Sequence, residues 1–282
     1  MLNNFRIVRN MTANLNFPIT EAYLPDMMKY ICVLAQEYES KKITSWELME
    51  NNVRTFFTAS RLAEIEAIAQ GWHDMATDIN GITLIHVVAA FVSLLLCPEY
   101  QKMSKMQQEL MKWIVFFHDL AKRIRKNQRD ALHGFKSAAM TVKILHKLGF
   151  EVSFTYDDFI DDWIELVNSA RIKRENPPGY IQDNSKLPEI IAGIEKLFGH
   201  NTPAVLITRT VLLHLSISVV QDWPADAPLT PLEIKKYIDI ELLPLLKTMM
   251  IVDNDAWALF DQATKEKYRR ETVEAFETMR PD

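Results

Sequence analysis

Only seven glycines occur among the 282 residues. That is too few for the many tight turns of a sheet-rich fold, and it suits long helices joined by polar, proline-containing links. Cysteine is scarcer still: Cys32 and Cys97 are the only two, both in apolar surroundings. A disulfide framework is therefore excluded, and such sparing use fits a reducing compartment. A net positive charge is also lacking. A net charge of −5 offers no field for nucleic-acid phosphates, so no nucleic-acid partner is expected. No continuous apolar segment opens the chain, and the longest apolar run, residues 87–97, is interrupted only by Ser93. The run is too short to span a bilayer, so it reads as a buried core helix of a soluble, cytoplasmic protein without a membrane partner. A homo-oligomer is left open.

What is present is a succession of helical patterns. Pro25 opens one with Met27, Ile31, Leu34 and Ala35 on its apolar face, and Ser45 marks the next start. A longer helix is expected over 53–70, with Gly71 as its stop. Further helices are expected over 83–97, ended by Pro98, and from a Ser104 cap into residues 117–119. The pattern continues over 132–148, closed by Gly149, and over 157–170. Residues 123–130 read as a solvent-facing loop, and the basic, proline-containing 171–188 as a mobile cover. Helices follow over 203–220 and after a Thr230 cap, with a break at Pro244, then over 245–260 and 264–279. There is no convincing strand. The fold class is all-α: a helical bundle with an N-terminal helical segment (1–79), a central domain (80–262) and a C-terminal helix (263–282).

Chemistry concentrates in Phe116-Phe117-His118-Asp119-Leu120-Ala121-Lys122. A bulky apolar run ends there in two adjacent metal-ligand residue types, with a lysine one turn later. His86 lies upstream, His133 and His214 downstream, and Asp253 ends an apolar helix face. Buried imidazoles and carboxylates need partners, and they are the ligands of hydrolytic metals. Spacing alone leaves open whether these groups share a metal or are satisfied separately.

The order of these residues resembles the HD-domain superfamily of metal-dependent phosphohydrolases. In that family a helix-borne His is followed by His-Asp closing a second helix, often with a Lys three positions later, then further His residues and a late Asp. Here the matching residues are His86, His118-Asp119, Lys122, His133, His214 and Asp253, over roughly residues 80–260. The resemblance implies an HD-type bundle in which His86, His118, Asp119 and Asp253 hold a first divalent metal. Asp119 would bridge to a second, with His133 and His214 as its ligands. The ion, one or two of them, would be Mn, Fe, Ni, Co, Zn or Mg. The implied activity is hydrolysis of a phosphomonoester or phosphodiester, in a nucleotide or related small metabolite, with Asp119 and Lys122 at the reaction. Lys122 would supply charge to the phosphate, with Arg125, Arg129 and Lys136 adding to it. The same ligands also suit an HD-type di-iron oxygenase or a non-catalytic metal- or ligand-binding sensor.

Each assignment has a plainer counterpart. His86 is also readable as a core histidine donating to a backbone carbonyl, and Lys122 as a cation near a helix C-terminus. Asp253 competes with Asp255 and Asp222. Arg171, Lys173 and Arg174 are solvated surface or substrate contacts. His73-Asp74 repeats the dipeptide, but no histidine precedes it and no apolar helix leads in, so it reads as surface. His146 and His200 match nothing.

Overall fold

The computed structural model describes residues 15–123 and 130–279. The first layer comprises α1 (Thr20–Tyr23), α2 (Pro25–Glu39), α3 (Trp46–Phe56), α4 (Ala59–Ile68) and α5 (Trp72–Thr77). Then come α6 (Ile82–Leu96), α7 (Pro98–Lys102), α8 (Lys105–Phe117), α9 (His133–Lys147) and α10 (Tyr156–Ser169). A two-stranded antiparallel hairpin follows, β1 (Arg171–Arg174) and β2 (Gly179–Gln182). The chain ends with α11 (Leu187–Phe198), α12 (Pro203–Leu213), α13 (Pro231–Tyr237), α14 (Leu242–Trp257) and α15 (Gln262–Thr278).

Composition decides which helices are central. Every residue of α6 from Thr83 to Leu94 is buried, as is every residue of α8 from Glu109 to Phe117 and of α12 from Ala204 to Leu213. Helices apolar on all sides must be enclosed. Around them, α2 packs on α6, α14 packs on α6, α8 and α12, and α9 packs on α12. The two-sided helices lie outside: α10 and α11 against each other and against α9 and α12, and α15 against α14. Ser104 forms the N-terminal cap of α8 in a reciprocal pairing with Gln107. At the same end, Glu109 and Lys112 hold the incoming chain: Glu109 accepts from Thr20, and Lys112 reaches Glu21 at 2.6 Å. The stretch before α2 is thus docked at residues 18–21, where Trp113 Nε1 also donates to the Pro18 carbonyl at 2.8 Å.

Several expectations are corrected. The single helix over 53–70 is two, because Phe57 leaves helical geometry and Thr58 caps α4 by accepting from Arg61 N. Residues 171–188 form the hairpin and the start of α11, not a structureless cover, and the helix over 187–198 was not expected at all. Pro98 opens α7 as well as following α6. The helix expected over 203–220 stops at Leu213, although Ile217, Val219 and Val220 stay buried beyond it. Pro244 sits in the first turn of α14, where its missing N–H needs no partner, so the break lies before it. Among the described residues, the helical stretch Trp72–Leu96 is apolar and long enough to cross a membrane. It is interrupted by positive φ at Ile79, Asn80 and Gly81, and α6 is enclosed by its neighbours.

Candidate metal centre

Five helices converge on the cluster. His86 lies on the second turn of α6, His118 is the C-cap of α8 with Asp119 next to it, and His133 opens α9. His214 is the C-cap of α12, and Asp253 lies on α14. Two glycines permit the close approach. A Cβ on Gly134 would stand 3.1 Å from Leu212 O and 3.4 Å from His214 Cε1, so the missing side chain lets α9 press onto the end of α12. At Gly71, where φ is +114°, a Cβ would meet Leu120 O at 2.9 Å, in the turn that carries His118-Asp119.

Three of the histidines are oriented by one device. Each uses Nδ1 to contact the carbonyl three residues back: His118 to Val115 O at 2.8 Å, His214 to Val211 O at 2.7 Å, and His133 to Asp130 O. At the ends of α8 and α12 these carbonyls have no helical partner, so the ring N–H satisfies them. That contact places the proton on Nδ1 and turns the Nε2 lone pair inward. His86 is buried and stacks on Trp257, with ring centres 4.2 Å apart and planes at 19°. Its Nε2 lies 2.7 Å from Asp253 Oδ1, not against a backbone carbonyl, which removes the plainer reading of that residue.

Asp119 divides the cluster. Its Oδ2 lies 3.5 Å from both His86 Nε2 and His118 Nε2, while Oδ1 lies 3.1 Å from His133 Nε2. His133 Nε2 in turn is 3.3 Å from His214 Nε2. Two groups therefore form, His86/His118/Asp119 and Asp119/His133/His214, each with ligand atoms within 4.8 Å of one another. Asp253 Oδ1 is 3.8 Å from His118 Nε2 and joins the first group. His118 Nε2 and Asp119 Oδ1 are buried without a hydrogen-bond partner. An unpaired buried polar atom costs about 1–3 kcal/mol, and one of these atoms belongs to each group, His118 Nε2 to the first and Asp119 Oδ1 to the second. A cation in each group would satisfy both. The residues fit a metal ion, and both groups could hold one.

Burial and neighbouring charges act together on the cluster. Burial pushes His214 down to about 3, assisted by the neighbouring His133 and His118, so the ring is neutral at physiological pH. Burial, with Lys122 nearby, also lowers His86. Burial alone would raise the Asp119 carboxyl. His118, Lys122 and His133 outweigh it and hold Asp119 well below the usual range. Burial opposes ionisation of Asp253 too, and is outweighed by its hydrogen bond to His86 and by the nearby charges.

The other candidates sort themselves. Asp255, two residues along α14, lies on the opposite face and points to Arg269 at 3.5 Å and Lys265 at 3.8 Å. Asp222 pairs with Lys267 at 2.8 Å. Asp253 is therefore the carboxylate that reaches the cluster. Lys122 Nζ lies 2.7 Å from Asp119 Oδ2 and 5.1 Å from the Trp257 ring centre. Lys136 does not line the cleft: it is 3.4 Å from Asp130 and half-buried. Arg125 and Arg129 lie outside the described residues. His73 is exposed, and its neighbour Asp74 ion-pairs with Arg123. His200 sits beside Glu195 at the surface, and His146 beside Tyr156. Of the basic hairpin residues, Arg174 pairs with Asp226 and Arg171 lies over Tyr180.

A cleft of about 720 Å³ opens onto the cluster, with Lys122, His133, His214 and Asp253 at its floor. Arg123, Trp223, Trp257 and Tyr268 also line it and were missed in the sequence. Trp257 was readable in principle, four residues after Asp253 on the same helix face. Trp223 was not, because it lies in an irregular connection whose placement is non-local. Comparison with protein-family models, with curated proteins and with solved structures gives no match to this chain.

Proposed function

We propose that this chain is an HD-type, metal-dependent phosphohydrolase that cleaves a phosphomonoester or phosphodiester of a small metabolite, nucleotides included. One observation carries the reading: inward-facing Nε2 atoms and Asp119 oxygens meet at the floor of an open cleft with an ammonium beside them. The order of those residues is the one in which the chain resembles the HD superfamily.

In this reading His86, His118, Asp119 and Asp253 hold one divalent ion, and Asp119, His133 and His214 a second. Mn, Fe, Co, Ni, Zn and Mg all accept such nitrogen and oxygen donors to differing degrees. When bound, such an ion supplies Lewis acidity toward water and phosphate oxygens, which ester hydrolysis requires. The protein does the rest. Backbone carbonyls fix three imidazoles in one tautomer, and Trp257 packs against the fourth. Lys122 brings a positive charge to the cleft floor, where a phosphate dianion would enter. Asp253 is more open to the cleft than Asp119, with about 20 % of its side chain accessible.

The test is elemental analysis of the purified protein together with a phosphate-release screen over small phosphate esters. Bound transition metal and metal-dependent phosphate release are expected. A metal-free protein that gains no activity with any added divalent ion overturns the reading.

A further inference from the structure

The cleft has two ends of opposite character. Its floor is the polar cluster with Lys122, but the wall above is built from Trp223, Trp257, Tyr268, Ile217, Val220 and Met250. Trp223 is 64 % exposed and Trp257 46 %. Indoles left open inside a concave, largely apolar wall are the usual mark of a ligand's apolar part. Size agrees, because a space of about 720 Å³ is that of a whole small-molecule ligand and far exceeds a phosphate group.

The wall is also held in place. The connection bearing Trp223 is fastened to α15 by Trp223 Nε1 donating to Tyr268 Oη at 3.1 Å. Gln221 N donates to Glu271 at 3.0 Å, and Lys267 pairs with Asp222 at 2.8 Å. Behind it, Gln182 Nε2 donates to Ser216 Oγ at 2.8 Å and ties the hairpin to the same connection. The remaining carboxylates of the cleft are committed to the protein: Asp261 caps α15 through Thr264, and Asp130 accepts from Arg123 N and Leu132 N.

We propose that the Trp223–Trp257–Tyr268 wall is a specificity site for the apolar, ring-sized body of the substrate, whose phosphate lies at the metal centre. The proposal rests on the phosphohydrolase reading for the position of the phosphate, and on the cleft alone for the nature of the body. It makes Trp223 a determinant of substrate choice that acts away from the reacting atoms.

Naphthylethyl phosphate and ethyl phosphate test this, because their leaving alcohols are similar in basicity and differ in the body. With metal-loaded protein, kcat/KM is expected to be at least about tenfold higher for the naphthylethyl ester. Trp223→Ala should lower that ratio about tenfold, and Trp223→Phe should restore most of it. Equal efficiency for the two esters, or a ratio unaltered in Trp223→Ala, overturns the proposal. If neither ester is hydrolysed, the phosphohydrolase reading is decided by the phosphate-release screen, and binding of naphthylethanol by ligand-observed NMR decides the wall separately. Binding that weakens in Trp223→Ala sustains the proposal, and absent or unaltered binding ends it. Trp223 is mostly solvated, so its truncation removes its bond to Tyr268 but no core packing, and far-ultraviolet circular dichroism checks that the fold is retained.

Discussion

His133 Nε2 and His214 Nε2 stand 3.3 Å apart although 81 residues separate them in the chain. Each ring has its Nδ1 directed to a backbone carbonyl, so the two inward nitrogens confront each other as acceptors. A proton or a metal ion between them makes the contact favourable.

Gly134 controls that separation. Replacing it by alanine gains about 1 kcal/mol of helix propensity but brings a Cβ to 3.1 Å from Leu212 O. Valine adds two methyls against the same carbonyl and the His214 ring, an overpacking cost of about 1–3 kcal/mol. Gly134→Val should therefore lower the melting temperature and reduce bound metal per chain, measured by thermal melts and elemental analysis. A variant with wild-type metal content would show that α9 and α12 need no close contact there.

His118→Ala and Asp119→Ala remove candidate ligands from the centre of the cluster. Both should reduce metal affinity by at least about tenfold to a hundredfold while retaining most helicity. Asp119→Ala should deplete both groups, because its two oxygens face different histidines. Dialysed samples analysed for metal, with circular dichroism as the control, would reveal the difference; unchanged content in both variants would remove the site.

Lys122→Ala should lower kcat/KM for a phosphate ester by about a hundredfold, the scale of losing one preorganised charge at a developing anion. Metal content should stay at wild-type level, since the ammonium is not a ligand. Kinetics indistinguishable from wild type would confine Lys122 to neutralising Asp119.

The metal-free protein should weaken as pH falls from about 6.5. His214 has an ordinary value of 6.5 and is lowered to about 3 in the fold. Between these values the unfolded chain binds a proton that the folded one rejects, so stability rises with pH across that window and is lost on acidification. His86 acts in the same direction. Asp119 and Asp253, both lowered, add a further loss as pH falls through and below the ordinary carboxylate range. Urea midpoints of chelator-treated protein should drop between pH 7.5 and pH 5, and less so in His214→Asn. A flat profile would contradict the burial of a neutral imidazole.

Much of the architecture was legible in residue order because it depends on local periodicity. The run from Trp113 to Phe117, the Ser104 cap and the apolar face ending at Asp253 are each set within a few turns. The candidate metal-binding residues stand out through their order and the resemblance that order carries. His118, His133 and His214 each take their orientation from a carbonyl three residues away, at a helix end that the sequence marks.

Tertiary structure decided what periodicity cannot. Asp253 and Asp255 are both helical and both follow an apolar run, and only the packing of α14 against α6 and α15 turns one to the cluster and the other to Arg269. Lys136 carries the same charge as Lys122, yet its place on α9 directs it to Asp130 and solvent. The hairpin at 171–182 rests on cross-strand pairing and on Gln182 reaching Ser216, contacts invisible to a local pattern. Trp223 joins Trp257 and Tyr268 in one wall only because an irregular connection folds back onto α15. Residue types and their order determined which chemistry was available. The close approach of helices distant in the chain determined which of those residues face one cleft, because side-chain direction there is set by packing and not by neighbours in sequence.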